Sequence, residues 1–239
     1  MSKSNQKGFT ILELMIATMV FTVVFLGATT AILQIGKLYY KGVVTGRTQE
    51  VTRSLTDSVS QQLQLSDALL TSQSNSTYDV TNGPLPSNKM QFSAYCIGNT
   101  RYSFVINAQV STSATPNTYD PATNRLAHAL WQDTIPSTAA STCTPANLSL
   151  VNPSATPSPG DGVNGQELLG AGMRLSNFVA ACQGDNKICK LDVAVIYGDN
   201  DLLAPDAVNP THCASIVGSQ WCATSQLSTA VLKRVGVTN

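Results

Sequence analysis

Residues 7–30 read KGFTILELMIATMVFTVVFLGATT: a Lys7-Gly8 pair opens directly onto a long apolar run interrupted by one carboxylate, Glu13. From Phe9 to Ile35 there are 27 residues without Pro, Lys or Arg. As a helix rising ~1.5 Å per residue this run reaches ~40 Å, enough to cross a ~30 Å hydrocarbon core with some tilt. A secretory signal peptide is excluded by length, because its apolar region normally runs ~7–15 residues and ends at a small-residue cleavage site. An ordinary signal anchor explains everything except Glu13, since an acid in hydrocarbon costs ~2.5–3.5 kcal/mol on insertion scales.

On these residues, KGFTILELMIA resembles the class III signal of type IV prepilins and type II secretion pseudopilins. The resemblance implies that a dedicated prepilin peptidase cuts after Gly8 and methylates the new N-terminal residue, Phe9. It further implies that Glu13 pairs with the N-terminal amine of a neighbouring subunit. Physical chemistry is compatible with that role, because a fixed cation recovers much of the cost of burying a carboxylate.

The chain has 239 residues, with 14 basic and 14 acidic side chains. Loss of residues 1–8 removes Lys3 and Lys7 and no acid, leaving a net charge of −2. This is no electrostatic footprint for nucleic acid. Lysines stand on both sides of the apolar run, so charge alone does not orient it. The six cysteines, Cys96, Cys143, Cys182, Cys189, Cys213 and Cys222, all lie beyond it, and an even count there fits disulfides in an oxidising compartment. Residues after about 36 are therefore placed outside the cytoplasm. Six cysteines allow fifteen pairings. Proximity favours Cys182 with Cys189 and Cys213 with Cys222, leaving Cys96 with Cys143, and Cys182 with Cys222 is the competitor.

Beyond Gly36 an apolar stripe continues through Leu38, Val43, Val51, Leu55, Val59, Leu63 and Leu70, mostly at spacings of four on an otherwise polar pattern. This predicts one helix from Phe9 to about Leu70, with Gly42 and Gly46 as places to bend. Together with the leader 1–8 and the filament-core role that the resemblance implies, this divides the chain into four segments: leader 1–8, membrane or filament-core helix 9–36, amphipathic continuation 37–70, and a disulfide-containing β-rich domain 71–239.

Thr71 to Lys89 reads as a connector. Strands are expected at Met90–Cys96, Arg101–Val110 after a Gly98-Asn99 hairpin turn, Arg125–Gln132, Lys190–Tyr197 and Gln226–Val235. Ile135 to Gly165 is a Pro/Ser/Thr/Gly-rich insert, and Gln166–Cys182 is apolar without a clear period. One helix followed by four to six strands predicts an α+β fold in which the helix's amphipathic half packs on an antiparallel sheet. The layout resembles the larger PilW-like minor pilins and J-type pseudopilins.

Nothing in the sequence supports catalysis or a cofactor: the two histidines stand apart from any nucleophile or acid pair, and no nucleotide, hydrolase or zinc-protease fingerprint occurs. His128 reads as a core or edge residue and His212 as a neighbour of a disulfide. Asp199, Asp201 and Asp206 offer hard oxygen ligands for Ca²⁺ without EF-hand spacing, and an Asp/Asn-rich turn is the simpler reading. Tyr39-Tyr40 between Lys37 and Lys41 reads as an interfacial belt, while Trp131 and Trp221 could contact partners.

The resemblance implies a minor pilin of a type IV pilus, waiting as a single-pass protein in the cytoplasmic membrane and passing to the cell surface on assembly. Its implied partners are other pilins, the prepilin peptidase, an inner-membrane assembly platform and membrane lipid. The alternatives are a pseudopilin of a type II secretion or competence system and a membrane-tethered adhesive domain that never polymerises.

Overall fold

The computed structural model describes residues 8–66, 74–79, 89–111, 125–135, 143–146, 165–183, 188–204, 212–214 and 219–234. It begins with a single helix, α1 (Ile11–Leu65), 55 residues long and so ~82 Å from end to end. The helix runs without a break through Gly42 and Gly46 and ends at Ser66, whose N–H reaches Gln62 O at 2.9 Å. It stops short of the expected Leu70, which lies outside the described residues.

Among the described residues ten strands follow: β1 (Ser74–Asp79), β2 (Lys89–Ile97), β3 (Thr100–Phe104), β4 (Gln109–Val110), β5 (Arg125–Leu126), β6 (Leu130–Thr134), β7 (Gln166–Glu167), β8 (Met173–Gln183), β9 (Ile188–Tyr197) and β10 (Ala223–Leu232). They form two five-stranded sheets, β1-β2-β3-β6-β7 and β10-β9-β8-β4-β5. All pairs are antiparallel except β4 with β5. The fold is α+β and pilin-like, with a long N-terminal helix in front of a β-rich domain.

Three expectations need correction. Ser74–Asp79 is a strand paired along β2, not part of a connector. Arg101–Val110 and Arg125–Gln132 are not single strands, because each crosses from one sheet to the other. The first breaks between Phe104 and Gln109, where Asn107 adopts φ 66°, a left-handed conformation that Asn tolerates better than most residues. The second breaks at Ala127–Ala129. Hydrogen bonds from Val105 N to Ala129 O and from Ser111 N to Leu126 O carry the pairing around both bends. The hairpin at Gly98-Asn99 forms as expected, with Ile97 opposite Thr100 and Gly98 at φ 60°. β9 also falls where the alternation places it, whereas β10 overlaps the expected Gln226–Val235 but begins earlier, at Ala223, and ends at Leu232, with Val235 outside the described residues.

The core lies between the two sheets and the distal half of α1. Phe178 of β8 reaches across to the first sheet and meets Phe104 edge-to-face at 5.1 Å and Tyr95 at 5.5 Å. From the helix come Leu55, Val59 and Leu63, all buried, with Val51 partly so. Leu38 and Val43 of the expected stripe stay exposed. Buried threonines extend the contact face instead: Thr48, Thr52 and Thr56 stand one turn apart and donate their hydroxyls to Val44 O, Thr48 O and Thr52 O, each at 2.8 Å. Each hydroxyl is thereby satisfied inside the helix, and its methyl is free to pack.

Chain direction orders the domain along α1. β10 begins just after Trp221, whose ring lies 4.4 Å from that of Tyr40, and ends where Arg234 N reaches Gln64 O. The end of the domain nearest the apolar half of α1 is therefore built from the start of β8, the end of β9 and the start of β10, where Met173 and Ala223 both register with Tyr197.

Candidate functional site

The N-terminal segment is held by Thr10, the N-cap of α1. Glu13 N donates to Thr10 Oγ1 at 3.2 Å, while Thr10 N and Thr10 Oγ1 both donate to Glu13 Oε2 at 3.0 Å. This reciprocal capping box satisfies two otherwise orphaned N–H groups at the helix start. The signal for it, Thr-x-x-Glu ahead of an apolar run, is present in the sequence but is overshadowed by the assembly role that the resemblance assigns to Glu13. Both bonds converge on Oε2, and neither uses Oε1. Gly8 and Phe9 precede the cap in non-helical backbone and are exposed, Phe9 to 89%.

Between Ile11 and Ile35 no large apolar side chain is buried by the domain, and one stretch of α1 is long and apolar enough to cross a membrane. An exposed surface of this size is stable only in lipid or against other such helices. Nearly all of the apolar half of α1 thus waits for an environment that the described residues do not supply.

The six cysteines form three bridges, Cys96–Cys143, Cys182–Cys189 and Cys213–Cys222, the pairs that proximity along the chain favours. The first fastens residues 143–146 to β2. Two further bonds hold that segment, Arg101 Nη1 to Thr144 O and Ala146 N to Ser103 Oγ, both at 2.8 Å. Arg101 also makes a forked ion pair with buried Asp133, Nε to Oδ1 at 2.9 Å and Nη2 to Oδ2.

Asp199 does not stand free as a cation ligand. Its Oδ1 accepts from Arg125 Nη2 at 2.8 Å and from Gln109 Nε2 at 3.0 Å, and the Arg125 bond holds the carboxyl below the usual carboxylate range. Asp201 lies exposed in the short 3₁₀ turn Asn200–Leu202, and Asp206 is outside the described residues. Among the described residues, no three His, Cys, Asp or Glu side chains converge as a metal site. The Gly198-Asp199-Asn200 turn instead wraps Arg174. This fully buried guanidinium donates to Gly198 O at 2.9 Å and to Asn200 Oδ1 at 2.6 Å, and burial brings its pKa down to about 10. A cleft of about 520 Å³ opens beside this network, lined by Gln109, Arg125, Tyr197, Asp199 and Trp221 among others.

His128 is buried, edge-to-face with Trp131 at 4.7 Å, and its Nδ1 lies 3.4 Å from Glu167 Oε2. Glu167 accepts from the backbone N–H groups of Ala129, Leu130 and Leu169. Burial raises the Glu167 pKa, against the opposing pull of His128 and of the Leu169 and Leu130 N–H groups. The pair ties the bend before β6 to β7, so His128 takes the core place expected of it. Trp131 is buried as well, whereas Trp221 remains 43% exposed and packs on Tyr40, a contact with no local signal in the sequence.

Residues 3–29 match the family described as a prokaryotic N-terminal methylation motif. No curated protein and no solved structure matches the chain. A methylation motif covering Gly8, Phe9 and Glu13, at the head of an exposed apolar helix that leads into an α+β domain, supports a type IV pilin-like protein.

Proposed function

We propose that the chain is a structural subunit of a type IV pilus-like filament, a minor pilin cleaved after Gly8 and held in the filament core by the apolar half of α1. The observation that carries this reading is the coincidence of the methylation motif at residues 3–29 with a helix whose membrane-length stretch is left exposed by the described residues. The family of that motif is structural, which favours a non-enzymatic role. The β-rich domain then rides on the distal half of α1, and the subunit waits in the cytoplasmic membrane before reaching the cell surface.

Glu13 would recruit the neighbouring subunit. In the isolated chain its carboxylate closes the capping box through Oε2, and in the filament Oε1 would accept the N-methylated amine of Phe9 from the next subunit. One carboxylate can serve both, because it offers about four lone-pair sites. The other partners would be the prepilin peptidase and the inner-membrane assembly platform. A pseudopilin of a secretion or competence system would use the same groups.

Two measurements test the reading. Mass spectrometry of the protein from cells with active prepilin peptidase should find a mature N-terminus at Phe9, N-methylated; recovery of intact Met1–Gly8 would refute the processing. Glu13→Ala should insert into membrane at least as well as the native chain while being depleted from sheared filaments, and equal amounts of both in filaments would refute the assembly role.

A further inference from the structure

The geometry points to a second membrane contact: before assembly, the base of the β-rich domain sits on the outward-facing headgroup layer of the bilayer, anchored by Trp221. The inference rests on the reading of residues 11–35 as a membrane span and adds a partner surface on the distal domain.

Depth along α1 carries the argument. The apolar run ends at Ile35, and Tyr40 follows five residues later, ~7.5 Å further along the axis. Hydrocarbon and interfacial layers together measure ~40–45 Å against ~30 Å for the hydrocarbon alone, so each interface is ~5–8 Å deep. Tyr39 and Tyr40 therefore lie at headgroup level, between Lys37 and Lys41. Trp221 is held at the same level by the protein itself, its ring 4.4 Å from that of Tyr40.

The domain offers at this level what an interface takes. Trp221 belongs to the 3₁₀ turn Ser219–Trp221, and the Cys213–Cys222 bridge fixes the adjoining residue to the Leu203–Cys213 pairing. Trp221 is 43% exposed, Tyr40 is 49% exposed, and Tyr39 is 70% exposed. An indole combines a large apolar body with one N–H donor, which is why Trp and Tyr collect at membrane–water boundaries. Tilt completes the fit. The run from Ile11 to Ile35 measures ~37 Å and exceeds the ~30 Å core, so the helix leans, and leaning lowers one side of the domain onto the bilayer. The side anchored is the side that carries Trp221.

The test uses the full chain in lipid nanodiscs of phosphatidylethanolamine and phosphatidylglycerol, with a nitroxide quencher on the lipid headgroup or at mid-chain. The chain has two tryptophans, and Trp131 is buried in the core. Headgroup nitroxide should quench the Trp221 share of the emission, about half when the two indoles emit equally, and mid-chain nitroxide should quench much less. Trp221→Phe should abolish the headgroup quenching, while Tyr40→Ser, which keeps the fluorophore, should weaken it. Equal headgroup quenching in the native chain and in Trp221→Phe, with both co-eluting with nanodiscs, would overturn the inference and leave the membrane span intact. Failure to co-elute with nanodiscs would overturn the span, and the inference with it.

Discussion

Replacing Cys96 and Cys143 together by alanine should destabilise the domain more than removing either other bridge. The two residues are separated by 47 in sequence, against 7 for Cys182–Cys189 and 9 for Cys213–Cys222. On the chain-entropy relation the first closes a loop worth ~4 kcal/mol at 25 °C, the other two ~2.4 and ~2.6 kcal/mol. Packing adds to the difference, because Cys96 and Cys143 are buried with Ala94 and Ile135 in a small cluster of their own. The bonds from Arg101 to Thr144 O and from Ala146 N to Ser103 Oγ would then hold residues 143–146 without the covalent tie. Urea unfolding of the full chain in mild detergent, followed through the fluorescence of buried Trp131, gives the three losses on one scale. Equal losses for the three double variants, or a smaller loss for Cys96/Cys143 than for Cys213/Cys222, would refute the loop-closure reasoning.

Phe178→Ala removes the ring that joins the sheets through Phe104, Tyr95 and Tyr102, and should cost ~3–5 kcal/mol by the same unfolding measurement. Thr10→Ala should cost the start of α1 ~1 kcal/mol and speed amide exchange at Glu13, with exchange at Val59 and Leu63 unchanged. Glu167 should make stability fall as pH rises. Its folded pKa lies above the unfolded value, so the contribution is complete below the ordinary glutamate range and is lost as pH climbs through the raised pKa. Glu167→Gln should flatten that part of the pH–stability curve, and an unchanged slope would show that another group causes it. Asp199 works in the opposite sense. Its depressed pKa gives a contribution present above the ordinary aspartate range and lost on acidification, which Asp199→Asn should remove.

What can be read without coordinates is what repeats or what neighbours supply. The helix from Ile11, the hairpin at Gly98-Asn99 and strands β9 and β10 follow from apolar runs, turn residues and alternation within a few positions of one another. The Lys7-Gly8-Phe9 and Glu13 pattern is legible for the same reason, and the Thr10 cap could have been read from the same stretch. The three bridges also follow chain proximity, since two of them close short loops.

Tertiary structure decided where a chain segment changes partner. Alternation runs on through Phe104 and Gln109, and only the second sheet's demand for a strand beside β8 bends the backbone at Asn107. The helix face is another case. Thr48, Thr52 and Thr56 look polar in the sequence, yet each returns its hydroxyl to the preceding turn and buries its methyl against the sheet. Arg174 is buried because a turn 24 residues away supplies carbonyl and amide oxygens for its guanidinium. Trp221 meets Tyr40 from the far end of the chain. Local sequence sets dihedral preference and apolar period, so it determined the apolar helix, the motif and the principal strands. Desolvation and close packing between residues distant in sequence have no such local record, and they alone decided the two-sheet core and the aromatic pair at the base of the domain.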